Sequence, residues 1–218
     1  MTRATLTISS KNYSSWSLRG WLLTRISGLD FDEIITAPDD PSAKAEILLL
    51  SSSILVPCLR HEGATVWDTL AIAEYLNEVC PDAGLYPGDR MARARCRSIA
   101  GEMHSGFSAL RSSLPMNLRT EGRRIAIWSA AQSDIDRITE IWRECLETWK
   151  GPWLFGRRPT VGDAMYAPVV TRFRSYAVEV DPVSAAYCEH IWAWKDLAEW
   201  VTAAQLEPEQ IEELEVEF

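Results

Sequence analysis

Dithiol and metal-ligand patterns are missing from this sequence. Its five cysteines, at 58, 80, 96, 145 and 188, form no Cys-x-x-Cys pair, and with the three histidines they build no cluster spaced for a metal. A structural zinc and a dithiol redox centre drop out of the reading, and an odd, scattered set of thiols suits a reducing compartment. Positive charge is also short: 22 Lys and Arg stand against 31 Asp and Glu, for a net charge of −9. That balance argues against a nucleic-acid partner, whose phosphates require a basic face. No apolar run approaches the ~20 residues that span a bilayer, and the chain does not start with a charged-then-apolar leader pattern. The expectation is a cytoplasmic protein with no membrane partner. Internal repeats and low-complexity tracts are absent too.

What is present is an ordinary globular composition, 47% hydrophobic and 24% charged over 218 residues, enough for one compact body or two small domains. Ten tryptophans are many, and most are expected to be partly buried with the indole N–H paired. The acidic end, Glu207 to Phe218, contains no base and reads as a solvated tail.

The chain has two textures. Up to Cys80 short segments alternate: Ala4 to Ser9 reads as a strand, Ser15 to Ser27 as a helix ended by Gly28, Phe31 to Thr36 as a strand and Ser42 to Leu50 as a short helix. Val56 to Arg60 and Ala64 to Trp67 then flank His61-Glu62-Gly63 as a hairpin, and Asp68 to Val79 reads as a helix. The order β-α-β-α-β-β-α implies a mixed sheet covered by helices. Residues 81–88 ("PDAGLYPG") read as a linker. Beyond it only helical patterns appear: Asp89 to Leu114, Arg123 to Lys150, Val161 to Val178, Pro182 to Lys195, and a short one to Gln205. The expected division is an α/β domain over 1–80, the linker 81–88, an all-α domain over 89–206 and the tail 207–218.

Three local patterns carry chemistry. In "NYSSWSLRGW" (12–21) serine hydroxyls stand where a helix begins; they suit either an N-cap or an anion held at the helix N-terminus. Val56-Pro57 interrupts a strand-like run, and a cis bond there would present the backbone of Val56 to a ligand. Trp67-Asp68-Thr69 closes a strand and opens a helix, where Asp68 and Thr69 could cap, or could hold an ammonium and a carboxylate together.

Taken together, Ser-Ser-x-Ser-x-Arg after the first strand, Val-Pro before a hairpin, Asp-Thr at the next helix and an all-helical second half resemble the glutathione transferase superfamily. The opening is most similar to the zeta class and related serine-type bacterial members. Thr160-Val161-Gly162-Asp163 resembles the family's capping box and concerns folding rather than chemistry. The resemblance implies a thioredoxin-like N-terminal domain that binds glutathione as co-substrate, a helical domain that supplies the electrophile pocket, and a homodimer, with no metal. Carried over residue by residue, it makes Ser14 the catalytic hydroxyl that activates the glutathione thiolate. Ser15, Val56, Asp68 and Thr69 join Ser14 as glutathione-binding residues. Tyr13, Trp16, His104, Arg111 and Tyr166 are candidates for the electrophile pocket, for an apolar or weakly acidic electrophile.

The chain also departs from the pattern. Trp16 replaces the cysteine that the zeta class places after Ser-Ser, which puts maleylacetoacetate isomerisation in doubt. Leu55 stands where a polar residue often assists the glycyl carboxylate, with Lys11 or Lys44 as candidate substitutes. A non-catalytic binding or scaffold relative is the alternative reading. Disulfide or dehydroascorbate reduction would require a cysteine near Ser14, and none is there. On the helix around 101–119 the alternative is that His104 and Arg111 merely lie on a solvated or dimer face. Trp128, Trp142 and Trp149, separated by multiples of seven, read as a structural stripe.

Overall fold

The computed structural model describes residues 3–36 and 56–208. The expected helix Ser42–Leu50, with Lys44 and Leu55, lies outside them. Strand β1 (Ala4–Ile8) alternates buried Ala4, Leu6 and Ile8 with Thr5 and Thr7, the period of a sheet covered chiefly on one face. Helix α1 (Ser15–Ser27) follows, capped by Ser14 and stopped by Gly28 in the left-handed conformation at φ 71°. Strand β2 (Phe31–Ile35) pairs parallel to β1, with Ala4 opposite Phe31 and Ile8 opposite Ile35. Strands β3 (Cys58–His61) and β4 (Ala64–Trp67) complete a mixed sheet of order β2-β1-β3-β4. Their hairpin turns through Glu62 and Gly63, both at positive φ (49° and 84°), which matches the twist of the flanking strands. Helix α2 (Thr69–Val79) then buries Ile72, Ala73 and Leu76.

From residue 90 to 205 the described chain is helical with no further strand: α3 (Arg90–Ser105), α4 (Ser108–Ser113), α5 (Ser129–Trp149), α6 (Val161–Ser175), α7 (Pro182–Trp192) and α8 (Lys195–Gln205). The α/β half followed by a helical half is therefore as expected. Two boundaries differ. The helix anticipated over Asp89–Leu114 is broken, because Gly106 ends α3 and Phe107 turns left-handed at φ 56° before α4 begins. The helix anticipated from Arg123 begins only at Ser129, so the tryptophan stripe is incomplete: Trp142 is buried and Trp149 half-buried, but Trp128 precedes the helix and is 75% exposed. Trp142 is also an exception to indole pairing, since its buried Nε1 has no hydrogen-bond partner among the described residues, while its ring packs against those of Tyr166, Phe173 and Tyr187.

Helix α6 runs through the interior, with nearly every side chain buried, as befits a helix without a polar face. Its first turn carries the expected capping box: Thr160 N and Oγ1 both donate to Asp163 Oδ2. The other carboxylate oxygen of Asp163 accepts from Leu154 N and the Tyr187 hydroxyl, so this fully buried carboxylate is answered on both oxygens. Arg19, 0% exposed, joins α1 to α6 by donating Nε to the Met165 carbonyl at 2.8 Å.

The Val56–Pro57 peptide is cis. Helix α1 meets Pro57 at Gly20, where an added Cβ would come within 2.6 Å of Pro57 Cβ and Cγ. Neither a helix backbone nor a proline ring can yield that distance cheaply. Gly20→Ala is accordingly expected to destabilise the fold by about 1–3 kcal/mol. Gly101→Ala, on α3 where a Cβ meets nothing within 4 Å, should stabilise by about 0.5–1 kcal/mol. Denaturant midpoints of the two variants check both signs.

Candidate active site

Two helix N-termini, those of α1 and α2, frame the site. At α1 the serines fall into distinct environments. Ser14 is 1% exposed; its Oγ accepts the Ser17 N–H at 3.2 Å and donates to Ser17 Oγ at 3.0 Å. Ser17 Oγ in turn accepts the Ser9 N–H at 3.0 Å, so the cap is wired into the end of β1. Ser15, the first residue of α1, makes no side-chain hydrogen bond among the described residues, and its carbonyl accepts from Arg19 Nη1. The N-cap role anticipated for this stretch is thus present at Ser14, and the hydroxyl of Ser15 stands beside it.

At α2 the local backbone is unusual. Asp68 sits at φ 73°, a region that a residue with a Cβ occupies at some cost and that is enriched at ligand sites. Its Oδ1 accepts the Leu70 N–H at 2.8 Å and the Ala71 N–H at 3.4 Å, while Oδ2 lies 2.5 Å from His104 Nε2. Burial works against its charge, but the hydrogen bonds from His104 and the helix N–H groups outweigh burial and hold the carboxyl below its ordinary range. Thr69 is 1% exposed, and its Oγ1 has no hydrogen-bond partner among the described residues. A buried hydroxyl left unanswered in a folded protein calls for an explanation, and a ligand is one.

Trp16 links the two ends. Its ring lies 5.2 Å from that of His104, with Arg19 at 4.6 Å and Arg111 at 5.6 Å from its centroid. Arg111 Nε is buried without a hydrogen-bond partner among the described residues, and burial pushes that guanidinium down against a partial opposing pull from Asp134. The neighbouring Arg172 is buried and, among the described residues, donates only to the carbonyls of Leu114 and Pro168; burial, with the charge of Arg111 beside it, brings it down to about 10. Neither guanidinium forms an ion pair among the described residues, which leaves a concentration of positive charge next to an indole face.

The expected pocket residues therefore separate. Trp16, His104 and Arg111 come together, rather than lying on a solvated face. Tyr166 is fully buried, gives its hydroxyl to the Ile99 carbonyl and packs on Trp142. A helix buried all round shows no periodic face from which that could be read. Tyr13 is 3% exposed, and its hydroxyl accepts from Arg119 Nη2 at 2.8 Å. Lys11 is engaged with Glu33 at 2.5 Å and lies over Trp200. Val56, 7% exposed, lies directly before Pro57, against which α1 packs. The sequence reading missed the fit of Gly20 to Pro57 and the position of Arg172 beside Arg111; a glycine in the second turn of a helix behind Ser-Ser was the available signal for the first. Among the described residues no group of three or more His, Cys, Asp or Glu could hold a metal, and no helix is long and apolar enough to cross a membrane.

Residues 13–79 match the family model of the glutathione S-transferase N-terminal domain, and residues 92–202 match that of the C-terminal domain. The chain belongs to the glutathione S-transferase family. Similar curated proteins include the maleylacetoacetate isomerase of Rattus norvegicus, 26% identical over 172 residues that cover 77% of each chain. A probable maleylacetoacetate isomerase of Caenorhabditis elegans is 23% identical over 169 residues, 77% of this chain and 78% of that one. Among solved structures, a glutathione transferase homolog from Burkholderia with bound glutathione superposes with TM-score 0.70 at 23% identity, over 94% of this chain and 98% of the other. The maleylacetoacetate isomerase of Anaeromyxobacter dehalogenans, also with glutathione bound, gives 0.66 at 22% identity over 95% and 99%. At these identities the structures show a common fold.

The two α2 residues should respond differently to substitution. Asp68→Ala removes the cap of α2 and is expected to lower stability by about 1 kcal/mol. Thr69→Val removes an unanswered buried hydroxyl and should leave stability unchanged or raise it by up to about 1 kcal/mol. Because the Asp68 carboxyl is held below its ordinary range, its contribution is present above the unfolded-state carboxyl value and is lost as pH falls through the lowered folded value. Asp68→Asn should accordingly flatten the acid limb of a stability-against-pH curve.

Proposed function

We propose that this glutathione S-transferase relative is a glutathione-dependent transferase, with the thiolate at the N-terminus of α1 and the γ-glutamyl end at the N-terminus of α2. The observation that carries the reading is the buried, unanswered Thr69 hydroxyl beside a left-handed Asp68. A helix N-terminus with a free hydroxyl suits a carboxylate, and Asp68 suits an ammonium; an α-amino acid end presents both. The homolog from Burkholderia and the isomerase from Anaeromyxobacter, both solved with glutathione, support the same ligand.

The chain's own groups then do modest work. A free thiol titrates near 8.5, so only a few per cent is thiolate at neutral pH. Hydroxyl donors and the α1 N-terminus favour the charged form, and a lowering by about two pH units corresponds to roughly 2.7 kcal/mol. In this reading Ser14 supplies the activating hydroxyl, turning its proton from Ser17 Oγ to the sulfur, and Ser15 is the second donor. The sulfur then bonds to an electrophilic carbon, while the displaced group leaves with its electron pair. Trp16 forms a wall for that electrophile, with Arg111 at the wall's edge and Arg172 behind it. Positive charge without a carboxylate partner favours an electrophile that carries an acidic group. The maleylacetoacetate isomerases among the relatives support isomerisation of such a compound as the second reading, although Trp16 occupies the place of the zeta-class cysteine. A dimer and a cytoplasmic location complete the proposal.

Retention on immobilised glutathione tests the core of the reading. Thr69→Val should weaken binding about tenfold, the size expected for a lost hydrogen bond to a charged group. Ser14→Ala should raise the pH at which the rate rises, with glutathione affinity nearly kept. If that profile stays put in Ser14→Ala but moves in Ser15→Ala, the activating role belongs to Ser15; if neither moves it, and wild type is not retained, the catalytic reading gives way to a scaffold. Arg111→Leu should lower kcat/KM for carboxylate-bearing electrophiles at least tenfold more than for neutral ones.

A further inference from the structure

The loop between β1 and α1, residues 9–14, is grasped by a residue almost two hundred positions away. Glu207 directs one carboxylate oxygen to the Lys11 N–H at 2.6 Å, and the other to the Ser10 hydroxyl at 2.7 Å and the Asn12 N–H at 3.0 Å. Two successive backbone N–H groups and a hydroxyl converging on one carboxylate make a small anion nest, and bonds to an ionised acceptor are the strong ones. The Glu207 carbonyl accepts from Arg119 Nη1 at 2.8 Å, and Arg119 Nη2 donates to the Tyr13 hydroxyl. Just upstream on α8, Trp200 Nε1 donates to the Lys11 carbonyl at 2.9 Å. Glu207 was expected to open a solvated tail; it is half-buried and tied down.

We propose that Glu207 is a positioning residue, a latch that sets the β1–α1 loop and through it the serines at the start of α1. The route is short and covalently continuous. Ser10, whose hydroxyl Glu207 holds, accepts the Ser14 N–H on its carbonyl at 3.0 Å and receives the Asn12 and Tyr13 N–H groups on its Oγ. Displacing Ser10 therefore displaces the Ser14 backbone, and with it the cap that orients Ser14 Oγ and the first turn of α1. The latch also spans the molecule, since Arg119 precedes α5 in the helical half while the nest lies in the loop that follows β1. Glu207 thereby joins the chain's last described turn to the side of the cleft where chemistry would occur. The consequence for the thiol rests on the proposed function; the consequence for the loop does not.

The test compares wild type, Glu207→Ala and Glu207→Gln, the last keeping an acceptor oxygen. Hydrogen exchange should quicken at the Lys11, Asn12 and Ser14 amides in Glu207→Ala and much less in Glu207→Gln, with the melting temperature nearly kept. The ultraviolet absorbance of the thiolate of bound glutathione at neutral pH should fall by about a third in Glu207→Ala, the change given by half a pH unit of upward titration shift from about 6.5. Glutathione affinity should change less than twofold, and Glu207→Gln should recover most of the absorbance. Unchanged exchange at Lys11 and Asn12 overturns the latch. Faster exchange there, with Ser14 exchange and thiolate absorbance both unchanged, overturns the positioning role. If wild type shows no thiolate absorbance, the glutathione reading has failed by itself, and exchange at Ser14 alone decides for or against the latch.

Discussion

The placement of α1 depends on a single buried cation. Arg19 is shut away from solvent, reaches across to the Met165 carbonyl on the innermost helix, turns back to the Ser15 carbonyl and covers the face of Trp16. The Nε bond to Met165 ties this guanidinium to a partner outside α1, so a shift of α1 against α6 would cost a buried charge that bond. Every other element of the site refers to that anchor. Ser14 and Ser15 start the helix that Arg19 fixes, Trp16 lies beneath its guanidinium, and α6, which receives it, also carries Arg172.

The site itself is an arrangement of two helix ends rather than of a catalytic side-chain set. Each end presents partial positive charge, and each has a residue that keeps its local geometry: Ser14 through Ser17, Asp68 through Leu70. His104 connects the second end to Trp16, so the starts of α1 and α2 share one aromatic contact.

What could be read in advance was local. Serines ahead of a helix, a proline inside a strand and Asp-Thr at a helix start each announce themselves within a few residues, and the capping box at Thr160 did the same. What could not be read depended on distant partners. Nothing near Glu207 hints that Ser10 to Asn12 will meet it, and nothing near His104 names Asp68. The burial of Tyr166 could not be read because an entirely buried helix offers no polar face to give contrast. The broken helix at Gly106-Phe107 was hidden because both sides of the break share a helical pattern, and one glycine is weak evidence for a stop.

Gly20 has an implication of its own. The spacing between α1 and the chain at Pro57 is set by contact between a backbone and a ring, where even a methyl group would not fit. Hard-core repulsion of this kind ignores ionic strength and acidity, unlike the charged pairs spread over the rest of the surface. The separation between α1 and the chain at Pro57 is thus a mechanical constant of the molecule, fixed by an atom that is not there.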